Sequence, residues 1–447
     1  MLATGRAIAT ECAATQTSSS GAGPSVAANS TRPDSNGNKP CADGGHAGIT
    51  WSLADLVDEL KRNNPQLEQA REEYLAAKLQ APQAQAIPGP QFSLMEQANT
   101  GGPFNFSRNS DFFAYYTLTQ PVLWPGKLQL AGEIARAQAE VVGSQRNSLE
   151  LQLVSQLKLT FYQLIALQDQ LRFMDEDLQR LEQVKAVAKV RYANNAAAYV
   201  DFLNAQVSAS SLENDRYALQ KQIQTTTEQI NSLIGRSTQE PMRINDPQED
   251  SPKLPATALP QLIDLAEKNN PVIAGGESQI EAADKSVSLA HKAYYPDFGL
   301  VLGSYSNPPV GISSMRMYTV GVNLNLPTWF FEKERAGVDQ AKAQLDAARA
   351  GQLSNQQQVE LNVPNAYHGL ETAIKQIGFS RERLLPQAQM AYRLALTAYS
   401  NNGGTAFSDL LTAQSNLRDT QLALLQAQNA AVQAYISLVA AIGRDPD

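Results

Sequence analysis

The sequence predicts a mainly α-helical chain with a smaller β part suited to a membrane, built from one helix–strand–strand–helical-hairpin unit used twice. Three observations carry that reading. They are a repeat at a fixed offset, a ten-residue run of strict apolar/polar alternation, and helical stretches too long for a compact domain.

The repeat organises everything else. Asn63-Asn64-Pro65 returns as Asn269-Asn270-Pro271, and Pro90-Gln91-Phe92 as Pro296-Asp297-Phe298, 206 residues on. Pro121…Lys127 returns as Pro327…Lys333 and Ala135-Arg136-Ala137-Gln138 as Ala341-Lys342-Ala343-Gln344, at the same offset of 206. Asp201…Gln206 and Ile234-Gly235-Arg236 return as Asp409…Gln414 and Ile442-Gly443-Arg444, now 208 residues on. Shared order with one small insertion marks a duplication, and two such units pack about a pseudo-symmetric centre. The units span residues 49–245 and 259–447, with a linker at 246–258. Residues 1–48 are rich in Ser, Gly, Asn, Thr and Ala and read as a flexible tail.

Within the first unit, Leu53, Leu56, Val57 and Leu60 start a helix near Ser52. Asn63-Asn64-Pro65 interrupts it, and a second helical stretch runs from Pro65 to about Gln80. The period then changes, predicting strands within about 90–121 and, in the second unit, about 296–327. The clearest strand sets Tyr318, Val320, Val322, Leu324 and Leu326 against Met317, Thr319, Gly321, Asn323 and Asn325. Roughly ten residues is what a tilted strand needs to cross a bilayer. Phe92, Phe104, Phe106, Phe112, Phe113, Tyr115, Tyr116 and Trp124 crowd the first strand region. Tyr294, Tyr295, Phe298, Tyr305, Tyr318, Trp329, Phe330 and Phe331 crowd the second. Such aromatics, several near strand ends, tip the reading toward the girdles of a membrane barrel, with an aromatic soluble core as the alternative.

After the turn Trp124-Pro125-Gly126-Lys127, long helical hairpins are expected over about 127–235 and, in the second unit, about 333–443. Leu167, Leu171, Met174, Leu178 and Leu181 step by four and three, a narrow coiled-coil seam. Leu410, Leu417, Leu424 and Leu438 form the second, with Gln414, Gln421 and Gln428 expected at its wet edge. Pro364 and Pro386 should each bend the outgoing helix, since each removes a backbone donor. At 1.5 Å per residue, a 60-residue helix spans roughly 90 Å. A tube or a spanning rod needs that length; a compact enzyme does not.

Composition narrows the function classes. A net charge of −8, spread along the chain, argues against a nucleic-acid binder. The histidines His46, His291 and His368 are far apart, which argues against a histidine-based metal site. Cys12 and Cys41 could pair, tying down only the tail. Met1–Ile8 is a poor secretory signal, and Glu11 before Cys12 makes a poor lipid-anchor site. No run of eighteen apolar residues exists, which excludes a spanning helix and leaves a β-barrel open. Neither a nucleophile–base pairing nor a phosphate loop is present, and no cofactor is expected.

The strand count then decides between arrangements. Two strands per unit make four per chain, and about eight are needed to close a barrel. Lipid does not tolerate open edges. Strands in a membrane would therefore require several copies sharing one barrel, with the long helices extending the cylinder into water. The rival is a soluble coiled-coil scaffold or adaptor without a pore.

Two hairpin signatures and the duplication carry a resemblance. Arg191-Tyr192-Ala193-Asn194-Asn195 leads to Asp201-Phe202-Leu203-Asn204-Ala205-Gln206, and Tyr399-Ser400-Asn401-Asn402-Gly403 leads to Asp409-Leu410-Leu411-Thr412-Ala413-Gln414. From Ile49 to Arg444 the chain resembles the TolC-like outer-membrane efflux proteins. Leu385-Pro386-Gln387-Ala388 is similar to their heavy-metal, CzcC-type branch, which tilts the expected cargo toward metal ions. The resemblance implies a homotrimer in the Gram-negative outer membrane. Each copy would give four strands to a shared twelve-stranded barrel and its helices to an α-helical barrel in the periplasm. It also implies a passive exit duct whose helical tips are opened by a periplasmic adaptor and an RND-type inner-membrane pump.

At the tips, Asn194, Asn195, Asn402, Gly403 and Gly404 are where the hairpins turn, and the resemblance makes these turns the adaptor's docking point. Asn and Gly tolerate the left-handed conformation that ends a helix, so their presence also has a purely local cause. Asp201 and Asp409 fall six residues after Asn195 and Gly403, where the helix dipole alone would favour a carboxylate. Alternatively they form acidic rings that select cations or set the closed state. The family's second tip is latched by Tyr, Arg and two Asp. Tyr399 and Asp409 match, whereas Thr405 stands at the Arg position and Thr412 at the second Asp position, so this latch is expected to be looser or differently made.

Overall fold

The structure is a computed structural model that describes residues 50–99, 111–245, 252–306, 316–325, 332–401 and 406–444. The expectations for residues 1–48, Phe104, Phe106, Trp329, Phe330 and Phe331, and for the tip residues Asn402, Gly403, Gly404 and Thr405, lie outside the described residues.

The first unit runs β1 (Thr50–Trp51), α1 (Leu53–Asn63), α2 (Pro65–Gln85), β2 (Gln91–Asn99), β3 (Asp111–Val122), α3 (Lys127–Ala193), α4 (Tyr199–Leu233) and β4 (Arg243–Ile244). The second runs α5 (Leu259–Asn269), α6 (Pro271–Lys292), β5 (Asp297–Ser306), β6 (Arg316–Asn325), α7 (Glu332–Phe379), a π-helical turn (Ser380–Leu384), α8 (Leu385–Ser400) and α9 (Phe407–Ile442).

Local chemistry accounts for the boundaries. Ser52 caps α1 in a reciprocal box with Asp55: its hydroxyl accepts from the Asp55 amide, and its own amide donates to the Asp55 carboxylate. Asn64 ends α1 and caps α2, its Oδ1 accepting from the amides of Gln66 and Leu67. Pro65 follows at the first helical position, where its missing donor costs nothing. The helix continues through Pro82 to Gln85, further than the expected end near Gln80.

The two most conspicuous motifs of the repeat meet in space. The Asn64 side-chain amide donates to the Leu233 carbonyl at 2.7 Å, fastening the start of α2 to the end of α4. In the second unit Asn270 donates to the Ala441 carbonyl at 2.9 Å, fastening α6 to α9. Gly235 (φ 73°) and Gly443 (φ 84°) end the returning helices in the left-handed region. A Cβ at Gly235 would lie 2.5 Å from the Asn63 carbonyl, and one at Gly443 2.7 Å from that of Asn269. Asn-Asn-Pro and Ile-Gly-Arg are thus the two halves of one joint. Through it α2 (21 residues) and α4 (35 residues) lie nose to tail along the 67-residue α3.

Each joint is roofed by a short helix. Leu56 and Leu60 of α1 are fully buried with Leu157, Phe161, Leu164, Ile230 and Ile234. Leu262 and Ala266 of α5 do the same over Val363, Leu370, Ala431, Leu438 and Ile442. Below them the seam positions Leu167, Leu181, Leu410 and Leu417 are buried.

One expectation for the helices needs correcting. Gln414 is not at a wet edge: it is 3% exposed, and its amide donates at 2.8 Å to Asp177, itself 2% exposed. A second Asp177 oxygen accepts from Arg180, which also donates to Gln421. A polar group at a seam is buried when its partner comes from another helix, and period alone does not reveal that partner. Pro364 sits inside an unbroken α7, and near Pro386 the helix continues after widening into the π turn Ser380–Leu384. A wide turn accommodates a missing donor without ending the helix.

The strands form one antiparallel sheet in the order β2-β3-β5-β6, while β1 and β4 make a two-residue parallel bridge that carried no periodic signal. Both hairpins have the same register: Gln91 opposes Thr119 and, 206 residues on, Asp297 opposes Asn325. Phe92, Leu94, Tyr116, Leu118, Leu300, Leu302, Val320, Val322 and Leu324 share one face and are exposed. Ser93, Thr117, Thr119, Gly303, Thr319, Gly321 and Asn323 share the other. Among the described residues no helix packs across either face. An apolar face that covers no core of its own chain suits lipid, which favours the membrane reading of the aromatics on that face over the soluble-core one. Among the described residues no helix is long and apolar enough to cross a membrane.

Candidate functional site

At the far end of the helices, α3 ends in a Schellman turn. The Ala196 amide donates to the Arg191 carbonyl at 2.8 Å and the Asn195 amide to the Tyr192 carbonyl at 3.0 Å, with Asn195 at φ 52°. This turn sets α4 beside α3 and places Asp201 in the first turn of α4. Its carboxylate there faces the positive end of the helix dipole.

Tyr399, in the last turn of α8, reaches across from the other unit. Its hydroxyl donates to Asp201 Oδ2 at 3.1 Å. The side chain is 2% exposed, wedged among Val184, Ala188, Ala205, Phe407 and Leu410. The Arg191 guanidinium lies 4.3 Å over its ring and donates to the Tyr399 carbonyl, and also to that of Ala196 at 2.9 Å. Burial, then the neighbouring Asp201 charge and hydrogen bond, push the Tyr399 phenol up to about 12; the Arg191 charge opposes this. Tyr399 is therefore a neutral donor at any physiological pH. One aromatic side chain of α8 is tied to both α3 and α4, about two hundred positions earlier in the chain.

The other expected tip residues do not join this cluster. Asp409 occupies the first turn of α9 and is exposed. Thr412 is also exposed, and its hydroxyl donates to the Ser408 carbonyl of its own helix at 2.8 Å. Asn194 and Asn195 make the first turn, and Asn402, Gly403, Gly404 and Thr405 are not described. Arg191 is the residue that sequence reasoning passed over. It appeared only as the first letter of a signature, although the repeat offset of 208 makes it the counterpart of Tyr399. Arg191 thus brings a cation from the first unit's tip onto Tyr399 of the second.

Comparison with known proteins extends this picture. The model of the outer membrane efflux protein family matches residues 56–236 and 262–444, one match per unit. The pyoverdine export outer membrane protein OpmQ of Pseudomonas aeruginosa is 26% identical over 326 residues, covering 72% of this chain and 67% of that one. The cobalt-zinc-cadmium resistance protein CzcC of Cupriavidus metallidurans is 20% identical over 362 residues, 81% and 82% of the two chains. The solved outer-membrane channel OprN superposes with a TM-score of 0.76 at 18% identity, over 88% of this chain and 89% of that one. Family members are channels rather than enzymes. With a bare lipid-facing sheet, helices of tunnel length and a matching family model over both units, the chain belongs to the outer membrane efflux protein family and is an outer-membrane efflux channel.

Proposed function

We propose that three copies form the exit duct of a tripartite efflux system, a passive, non-enzymatic channel whose closed state is held at the helical tips by the Arg191–Tyr399–Asp201 clasp. The observation that carries this is the buried Tyr399 hydroxyl on Asp201, which pins the α8–α9 hairpin to the α3–α4 hairpin. A periplasmic adaptor docking on the turns, with an RND-type inner-membrane pump behind it, would open the duct by separating those hairpins. Asp409, exposed in the first turn of α9, would line the entrance and favour cations.

The cargo is not encoded in a binding pocket, because a hydrated duct need not hold what passes through it. The relatives named above are called after a pyoverdine exporter and a cobalt-zinc-cadmium resistance protein, so the metal-ion tilt of the Pro386 neighbourhood gains no exclusive support. Single-channel recording in planar bilayers tests the gate. Tyr399→Phe with Asp201→Ala should raise conductance several-fold, and adding Asp409→Ala should lower cation preference. Recordings indistinguishable from the parent channel would defeat the assignment.

A further inference from the structure

Back along the helices from the tip, one contact inside the bundle is polar where an apolar pair would pack as well. Asp177 of α3 is 2% exposed and is the one acidic or basic residue among the described residues that is buried. Gln414 of α9, 3% exposed, donates to its Oδ2 at 2.8 Å. Arg180 donates to its Oδ1 at 3.2 Å and reaches Gln421 of α9 at the same distance. The Tyr392 hydroxyl of α8 is buried with no hydrogen-bond partner among the described residues, and the charges of Arg180 and Asp177 both act on it. Three helices from the two units therefore meet at one buried carboxylate.

An apolar pair of the same volume would hold α3 to α9 at least as well, because burying a carboxylate sacrifices its hydration. What such a pair lacks is a unique register: leucines at a seam can slip by one turn, about 5.4 Å, and still pack. A hydrogen bond at 2.8 Å cannot. Nor is this contact part of the repeated unit. Gln414 has its counterpart in Gln206, which is exposed, but 208 residues after Asp177 stands Leu385. The buried contact and the tip clasp also share one face of each helix. Asp177, Val184 and Arg191 follow at steps of seven along α3, and Tyr392 and Tyr399 do so along α8. Gln414 lies seven residues beyond Phe407, whose ring centre is 5.4 Å from that of Tyr399. A slip at Asp177 would therefore be carried undiminished to the tip, roughly 21 Å along α3. The 3.1 Å bond from Tyr399 to Asp201 would not survive it.

We infer that Asp177 is a positioning residue: its buried bond to Gln414 fixes the register of α9 on α3 and so seats Tyr399 on Asp201 beneath Arg191. The inference rests on the gating role of that clasp and adds the element that aligns it.

Variants of the full-length channel, recorded in planar bilayers and melted in mild detergent, test it. Asp177→Leu with Gln414→Leu should leave the melting temperature at or above that of the parent, yet raise conductance several-fold, as breaking the clasp does. Asp177→Asn with Gln414→Glu rebuilds the bond with the carboxylate on the other helix and should restore the parent conductance. Tyr392→Phe, in the same packed layer but outside the bond, should change neither reading. A leucine pair that conducts like the parent, or that opens only with a lowered melting temperature, overturns the inference. So does a swapped pair as open as the leucine pair, or a Tyr392→Phe channel that opens equally. If Tyr399→Phe with Asp201→Ala itself leaves conductance unchanged, the clasp reading fails; if it opens the duct and the leucine pair does not, the positioning role alone fails.

Discussion

The helical part and the sheet solve opposite problems with the same repeat. In the helices, the landmarks at the two joints find their partners inside the chain: Asn64 on Leu233, Asn270 on Ala441, Leu56 and Leu262 each over a core of its own unit. In the sheet, the apolar face lies bare and both edges are open. The difference shows that a single copy can organise its helices but cannot complete its strands. Lipid is a structural component of the second region and not of the first, and the strands need sister copies to close their edges.

Substitutions can break that contrast. The largest effect is expected in a self-contained core: Phe161→Ala, at 0% exposure under α1, should cost about 3–5 kcal/mol and lower the melting temperature of the helical signal in circular dichroism. Next comes the lipid face, where Val320→Arg should cost about 2–4 kcal/mol and abolish outer-membrane insertion, as fractionation would show. Thr319→Arg, one residue away on the polar face, should insert normally. Equal damage from the two would mean that the faces are misassigned.

Smaller effects sharpen the comparison. Asn64→Ala removes the cap of α2 and its bond to Leu233 together, so about 1 kcal/mol of stability should go, read as a shift in the denaturant midpoint. The same change at Asn270 should cost a similar amount if the two joints are equivalent. The mildest is a pH effect at the tips. The Tyr399 phenol is raised from 10 to about 12 in the folded chain, so its contribution is fully present below pH 10 and is lost as pH climbs through 12. Channel opening should rise over that window in the parent and stay flat in Tyr399→Phe, measured as conductance against pH.

Much of this molecule is legible in its residues. The strand of Tyr318, Val320, Val322 and Leu324 was readable because a pleated strand writes its two environments as a period of two. The turn of the first hairpin was readable because Asn195 is among the few residue types that enter the left-handed region without much strain. The offset of 206 needed no structure to be seen, nor did the shortage of strands for a closed ring. Tertiary structure alone decided the rest. It sent Gln414 inward to Asp177, carried Arg191 over the ring of Tyr399, and brought Asn-Asn-Pro against Ile-Gly-Arg to make one joint from two motifs. The physical reason is common to all three. Periodicity and capping report what a residue needs within a few positions of itself, whereas these contacts join residues about 170 to 240 positions apart, and only the packed helices determine which of them meet.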